Sequence, residues 1–339
     1  MGCFIIAEAG VNHNGDLKLA KKLVDAAAEA KCDAVKFQTF KAKWGLIKSA
    51  KKAAYQVKNT GQEETQYEMV KKLELSEQDH RELIAYCTTK KIIFLSTPFD
   101  RESVDLLHRL HISMFKIASG EITNKPLLKY IAKKQKPMIL STGMSTLGEV
   151  EEALTWIYEE DNTQVTLLHC TSNYPTDMKD VNLRAMETLK KAFQVDVGYS
   201  DHTLGIEVPI AAAALGAKVI EKHLTLDKEM EGPDHKASLE PHELRQMVDS
   251  IRNIESALGS GIKKVAEGEK DTRIVARKSI VARQKITRGE VIAEEMLCIK
   301  RPGNGIPPKY MGQIVGQKAI KDIEEDTLIS IEDITFHKE

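Results

Sequence analysis

The chain has 339 residues, 42% hydrophobic and 29% charged, with a formal net charge of −1 and five cysteines. That balance excludes a global field for nucleic acid or an anionic membrane, and no apolar run approaches the roughly 20 residues of a membrane-spanning helix. The cysteines (3, 32, 87, 170 and 298) are odd in number and form no CxxC pair, which argues against a disulfide framework or a structural zinc site.

In chain order, an apolar run at residues 4–10 opens the pattern. Glu8 interrupts it, so it does not read as a signal peptide, and a cytoplasmic location is expected. Residues 17–30 follow, with Leu19, Leu23, Ala26, Ala27 and Ala30 on one helical stripe. A second apolar run covers 34–40. Residues 41–75 are long and polar for a strand-to-helix loop, a type of segment that is often functional or a lid. Ser76 is placed to cap a helix reaching about Lys90. Six more apolar runs, at 92–99, 114–120, 137–143, 165–172, 195–201 and 219–226, alternate with helical stretches near 101–110, 125–134, 147–160, 181–192, 205–215 and 240–257. Near-continuous apolar runs suit parallel strands covered on both faces. Eight strand–helix units within residues 1–262 have the count and length of an α/β (β/α)8 TIM barrel. The alternative, an open doubly wound sheet, calls for a glycine-rich phosphate loop after the first strand; Val11-Asn-His-Asn-Gly15 adds only one glycine to Gly10. Residues 263–279 read as a linker. Residues 280–339 read as a small β-rich domain, with strand-like pieces at 278–282, 297–301, 319–323 and 327–331.

A TIM barrel keeps its chemistry at the C-terminal ends of its strands. Those ends carry Glu8; Lys36 and Gln38; Ser96 and Thr97; Lys116, Ser119 and Glu121; Ser141 and Thr142; His169, Thr171, Ser172 and Tyr174; Ser200, Asp201 and His202; and Glu221, Lys222 and His223. One such residue is readily a satisfied polar group at a strand end. The whole set is harder to explain that way, because ionisable side chains inside a barrel are costly unless paired or liganded. Lysines with hydroxyls suggest a phosphate-like anion. Histidines on adjacent strands with carboxylates nearby suggest a divalent cation, with His13 as a third candidate. His80, His108, His111, His242 and His337 read as surface residues, and Cys170 as packing. Phosphate, metal and carboxylate together point to condensation of an enol phosphate with an aldehyde. A Schiff-base aldolase using Lys116 or Lys222 is the competing chemistry.

Several segments resemble the sialic-acid synthase family: Ile6-Ala-Glu-Ala-Gly-Val-Asn-His-Asn-Gly15, Val35-Lys-Phe-Gln-Thr39, Phe94-Leu-Ser-Thr-Pro-Phe-Asp100, Phe115-Lys-Ile-Ala-Ser-Gly-Glu121, Ile139-Leu-Ser-Thr-Gly-Met144, His169-Cys-Thr-Ser-Asn-Tyr-Pro175, Gly198-Tyr-Ser-Asp-His-Thr203, Ile220-Glu-Lys-His223, Gly232-Pro-Asp-His235 and Lys300-Arg-Pro-Gly-Asn-Gly305. They are collinear over nearly the whole chain, and the C-terminal part resembles the family's antifreeze-like (SAF) domain. The resemblance implies that His202 and His223 bind Mn2+ or Mg2+. It implies that Lys36, Thr97, Lys116, Ser119, Ser141, Ser172 and Ser200 hold phosphoenolpyruvate, although some members have Asn at the position of Ser172. Glu121 would be the acid/base, with Glu8 as a second catalytic carboxylate. Glu8, Gln38, Tyr174 and Asp234 would lie around the sugar and the metal-bound water. Arg301, reaching over from the partner subunit of a domain-swapped homodimer, would contact the sugar's N-acetyl group.

The activity so implied joins phosphoenolpyruvate to an open-chain N-acetylhexosamine, giving a nonulosonic (sialic) acid and phosphate. N-acetylmannosamine is the expected acceptor. A 2,4-diacetamido-2,4,6-trideoxymannose, giving legionaminic acid, is the alternative, and pseudaminic acid synthesis is third. A non-enzymatic sugar- or ice-binding protein would leave Lys116, Glu121, His202 and His223 unexplained.

Overall fold

The computed structural model describes residues 2–61 and 64–335; His337 lies outside them. Eight strands form one parallel sheet: β1 (Phe4–Gly10), β2 (Ala34–Thr39), β3 (Ile93–Pro98), β4 (Phe115–Ile117), β5 (Met138–Ser141), β6 (Val165–Cys170), β7 (Asp196–Asp201) and β8 (Val219–His223). Their order is β3-β2-β1-β8-β7-β6-β5-β4, and the two end strands lie side by side, so the sheet is a nearly closed barrel.

Helices follow the strands in turn: α1 (Leu17–Glu29), three short helices α2 (Ala42–Gly45), α3 (Ala54–Thr60) and α4 (Gln66–Lys71), then α5 (Glu77–Lys90), α6 (Arg101–Arg109), α7 (Lys125–Ala132), α8 (Leu147–Tyr158), α9 (Ala185–Phe193), α10 (Glu207–Ala214) and α11 (Pro241–Leu258). Side-chain caps fix several starts: Asp16, Ser76, Asp100 and Thr146 each accept a backbone N–H of the first turn. Segment 41–75, expected to be a long loop, therefore holds three short helices.

Two apolar layers explain where the polar residues go. One lies between strands and helices and includes Ile5, Val35, Phe37, Phe94, Leu23 and Leu83. The other fills the barrel's interior near its N-terminal end, with Ile6, Ala34, Leu95, Ile139, Leu168 and Val219. Side chains two residues apart on a strand share a face. The next interior layer is therefore Glu8, Lys36, Thr97, Ser141, Cys170 and Glu221. An apolar floor thus carries a charged and hydroxylated layer above it.

The chain divides into two compact units, Met1–Gly259 and Ser260–Glu339. In the second, α12 (Lys270–Ala276) occupies part of the segment read as a linker, and β9 (Ser279–Ala282) pairs antiparallel with β10 (Leu297–Lys300). Among the described residues, the strand-like pieces at 319–323 and 327–331 form isolated bridges rather than strands: Ala319 with Ile334 and Ile323 with Ile286 in the first, Leu328 with Val281 in the second. Ile280, Ile286, Ile292, Leu297, Ile314 and Ile329 form the core of this unit. Among the described residues, no helix is long and apolar enough to cross a membrane.

Candidate active site

The interior charged layer opens into a cavity of about 790 Å³ at the C-terminal ends of the strands. Lys36 Nζ stands 2.5 Å from Glu8 Oε2, 3.6 Å from Glu221 Oε2 and 3.0 Å from Thr97 Oγ1. Lys116 Nζ stands 3.2 Å from Glu221 Oε1, which also accepts from Ser200 Oγ at 2.9 Å. All four charged side chains are buried. Burial pushes the Glu8 carboxyl upward, with Lys36 opposing. Burial acts on Glu221 in the same sense, but Lys116 and Lys36 outweigh it and hold this carboxyl well below the usual range. Both lysines line the cavity; burial lowers Lys36, but Glu221 and Glu8 outweigh it and raise this amine, whereas at Lys116 burial prevails over Glu221 and lowers it. Gln38 Nε2 lies 3.4 Å from Glu8 Oε1.

Lys36→Met would strand Glu8 and Glu221 as buried charges with one cation fewer between them. It is expected to destabilise the fold by about 3–5 kcal/mol, seen as a lower denaturant midpoint at unchanged slope. A midpoint equal to the parent's would show that the interior does not need this pairing.

Hydroxyls complete the donor side. Ser119 Oγ accepts the Gly143 N–H at 2.9 Å and contacts Cys170 Sγ at 3.1 Å. A Cβ on Gly143 would lie 2.3 Å from Ser172 Oγ and 2.8 Å from Ser119 Oγ, so a bare backbone is required where these hydroxyls converge. Ser141 Oγ is buried and has no partner among the described residues, as expected of a group awaiting a ligand.

Across the cavity, His202 and His223 face each other, with ring centroids 5.5 Å apart, and Tyr174 lies 4.2 Å from His202. Burial keeps both imidazoles neutral, lowering His202 and, more strongly, His223. His202 Nδ1 lies 2.7 Å from the Thr171 carbonyl and so donates to it, leaving Nε2 with its lone pair. His223 Nδ1 is buried without a partner. Two neutral imidazoles so disposed fit a divalent cation. Among the described residues no three His, Cys, Asp or Glu side chains converge on one metal position, so other ligands would come from solvent or substrate.

Glu121 ends the turn after β4 and lines the cavity; burial raises its carboxyl, while a 2.6 Å hydrogen bond from Asn124 Nδ2 works against this. Asp234, from the segment after β8, also lines it and makes no ion pair among the described residues; burial alone raises its carboxyl to about 6. Since the unfolded value is about 3.9, the unfolded chain gives up this proton first, and stability from this group falls as pH rises from about 4 to about 6. Asp234→Asn is expected to raise the unfolding midpoint at pH 7.5 and to lose that advantage at pH 4; equal midpoints at both values would contradict it.

The structure does not bring every predicted residue into the site. Ser96, His169, Asp201 and Lys222 face outward, toward the helices. Ser96 Oγ meets Thr39 Oγ1 at 2.6 Å, and His169 Nε2 donates to the Val181 carbonyl at 2.8 Å. Lys222 Nζ pairs with Asp201 Oδ2 at 2.5 Å, both fully buried. Lys222 therefore offers no amine to a substrate. His13 is buried away from the cavity, against Phe37, with burial lowering it to about 4. His80, expected at the surface, is buried with Nε2 2.8 Å from Thr39 Oγ1. Glu221, which joins both lysines, was absent from the expected donor set, although it stands two residues before His223 on the same strand face. Arg301 lies just after β10 in the second unit, exposed, its guanidinium without a partner among the described residues.

Comparison with known proteins fits this site. Residues 23–263 match the NeuB family and residues 277–335 the SAF domain. An N,N'-diacetyllegionaminic acid synthase of Campylobacter jejuni is 55% identical, covering 96% of this chain and 98% of the relative. One from Legionella pneumophila is 50% identical, covering 98% and 95%. A solved structure of an N-acetylneuraminic acid (sialic acid) synthetase from Leptospira borgpetersenii, in complex with citrate, superposes with a TM-score of 0.71 at 36% identity, over 80% of this chain and 90% of that one. With the barrel, the charged interior and a family match over most of its length, the chain belongs to the NeuB family of sialic-acid synthases.

Proposed function

We propose that this enzyme condenses phosphoenolpyruvate with an open-chain N-acetylated amino sugar and water, giving a nonulosonic acid and inorganic phosphate. The observation that carries the reading is the convergence of Lys36, Lys116 and the hydroxyls of Thr97, Ser119, Ser141, Ser172 and Ser200 on one cavity that also holds two neutral histidines. The lysines would neutralise the donor's phosphate and carboxylate. A divalent ion, Mn2+ or Mg2+, held by His202 and His223 would supply Lewis-acid polarisation of the aldehyde oxygen. Donor C3 attacks the aldehyde carbon while the carbonyl π electrons move to its oxygen. Water captures the positive charge left at C2, and Glu121 takes its first proton and passes it to the new alkoxide, which becomes a hydroxyl. The C–O bond to the phosphate then breaks, the phosphate leaving with that oxygen and taking up the proton that the C2 hydroxyl releases as the ketone forms. Glu8 and Gln38, hydrogen-bonded to each other, would hold the acceptor with Tyr174 and Asp234. Arg301 would serve the site of a second copy, contacting the N-acetyl group in a domain-swapped homodimer.

On the acceptor, the relatives' names weigh against the order expected from the sequence. Both legionaminic acid synthases are at least 50% identical to this chain. One cavity wall is apolar, built from Phe40, Trp44, Met69, Val70, Leu73 and Phe99. Methyl groups at sugar C6 and on a C4 acetamide would bury there without stripping water from hydroxyls. We therefore propose 2,4-diacetamido-2,4,6-trideoxymannose ahead of N-acetylmannosamine. Phosphate release with each sugar in turn should favour the former in kcat/KM by about 10–200-fold. A preference for N-acetylmannosamine would restore the sialic acid reading.

A further inference from the structure

We propose that Asn12, Asn14 and His235 form a clamp that positions the Asp234 carboxyl for the acceptor sugar, an inference that rests on the acceptor role given to Asp234 above. The segment after β8 runs from Leu224 to Glu240 along the mouth of the cavity, and only Pro233 and Asp234 of it line the cavity. Its geometry is set from the loop after β1. Asn12 Nδ2 donates to the Leu224 carbonyl and to Ser238 Oγ, both at 2.9 Å, and Ser238 Oγ donates to the Asp234 carbonyl at 2.7 Å. Asn14 Nδ2 donates to the Glu231 carbonyl at 2.9 Å. His235 closes the loop on itself and on Asn14: its Nδ1 lies 2.6 Å from Thr225 Oγ1 and its Nε2 3.3 Å from Asn14 Oδ1. With the Thr225 hydroxyl hydrogen turned to Nδ1 at 2.6 Å rather than to the Asp227 carbonyl at 3.0 Å, a neutral imidazole satisfies both contacts by accepting at Nδ1 and donating from Nε2, and burial favours that neutral form. The ring is packed against bare backbone, since a Cβ on Gly232 would lie 2.6 Å from its Cδ2.

Three features separate this from ordinary loop packing. Asn12 and His235 are almost wholly buried, at 1% and 0% exposure, yet neither they nor Asn14 line the cavity. The residue they bracket, Asp234, has no cationic partner for its side chain among the described residues, so its position follows from its backbone. The donor-side groups Lys116 and Ser141, on β4 and β5, and Ser119, on the turn after β4, share no hydrogen bond with the clamp among the described residues. These are positioning residues, and their loss should fall on one substrate only.

The test is steady-state kinetics of the parent, Asn14→Ala, His235→Ala and His235→Gln with both substrates, alongside amide hydrogen exchange. Asn14→Ala and His235→Ala should raise the acceptor KM about 10- to 100-fold and leave the donor KM within about twofold. Exchange should quicken at 231–238 and not in α11. His235→Gln, which keeps a donor and an acceptor, should recover part of the loss. Equal rises in both KM values, unchanged kinetics or unchanged exchange would overturn the clamp. If the parent condenses no acceptor, the proposed function falls; exchange confined to 231–238 then still supports the clamp, and unchanged exchange still overturns it.

Discussion

Stripping divalent ions, or replacing His223 by Ala, is expected to lower condensation about 10²–10⁴-fold, the several kcal/mol that a Lewis acid contributes to a polarised carbonyl. The reason is the histidine pair. Burial disfavours the charged form of both rings, and among the described residues no carboxylate is hydrogen-bonded to either of them. The Thr171 carbonyl fixes which nitrogen of His202 carries the proton, and His223 Nδ1 has no partner among the described residues. Two buried neutral imidazoles facing each other across the cavity are suited to sharing a cation. Mn2+ should restore the chelated parent and leave His223→Ala depressed. Full condensation by metal-free protein would remove the Lewis-acid role.

Glu121→Gln should reduce kcat about 10²–10⁴-fold, the range for loss of a positioned acid or base, with the donor KM nearly unchanged. Glu121 stands on the turn after β4, outside the lysine layer, so donor binding does not depend on its charge. Burial raises its carboxyl above the ordinary carboxylate value, a shift of the kind found in groups that transfer protons. The same substitution should flatten the acidic limb of the kcat profile. A parental kcat would exclude Glu121 from proton transfer.

The barrel was legible because its strands are near-continuous apolar runs bounded by polar residues, and all eight lie where those runs lie. The small helices of 41–75 were not, because segments of four to seven residues are too short for a 3.6-residue period to show. Most of the site was legible as a list and less so as a geometry. Neighbouring polar residues at a strand end point to opposite faces, and composition does not say which face is inner. Anchoring each strand on one apolar interior residue would have resolved this: Ile6 assigns Glu8 to the inside, and Val219 assigns Glu221 and leaves Lys222 out. The same reasoning applies to His80, which shares a buried stripe with Leu83 and Cys87. The clamp on Asp234 was out of reach, since Asn14 and His235 are 221 positions apart and meet only in the folded barrel.

The most direct measurement uses phosphoenolpyruvate labelled with ¹⁸O at the bridging oxygen, incubated with the enzyme, Mn2+ and 2,4-diacetamido-2,4,6-trideoxymannose, with both products read by mass spectrometry. The expected result is acceptor-dependent formation of a nonulosonic acid, with the label recovered in the released phosphate. Label retained in the sugar acid, or phosphate release that does not depend on any amino sugar, would contradict the condensation described here.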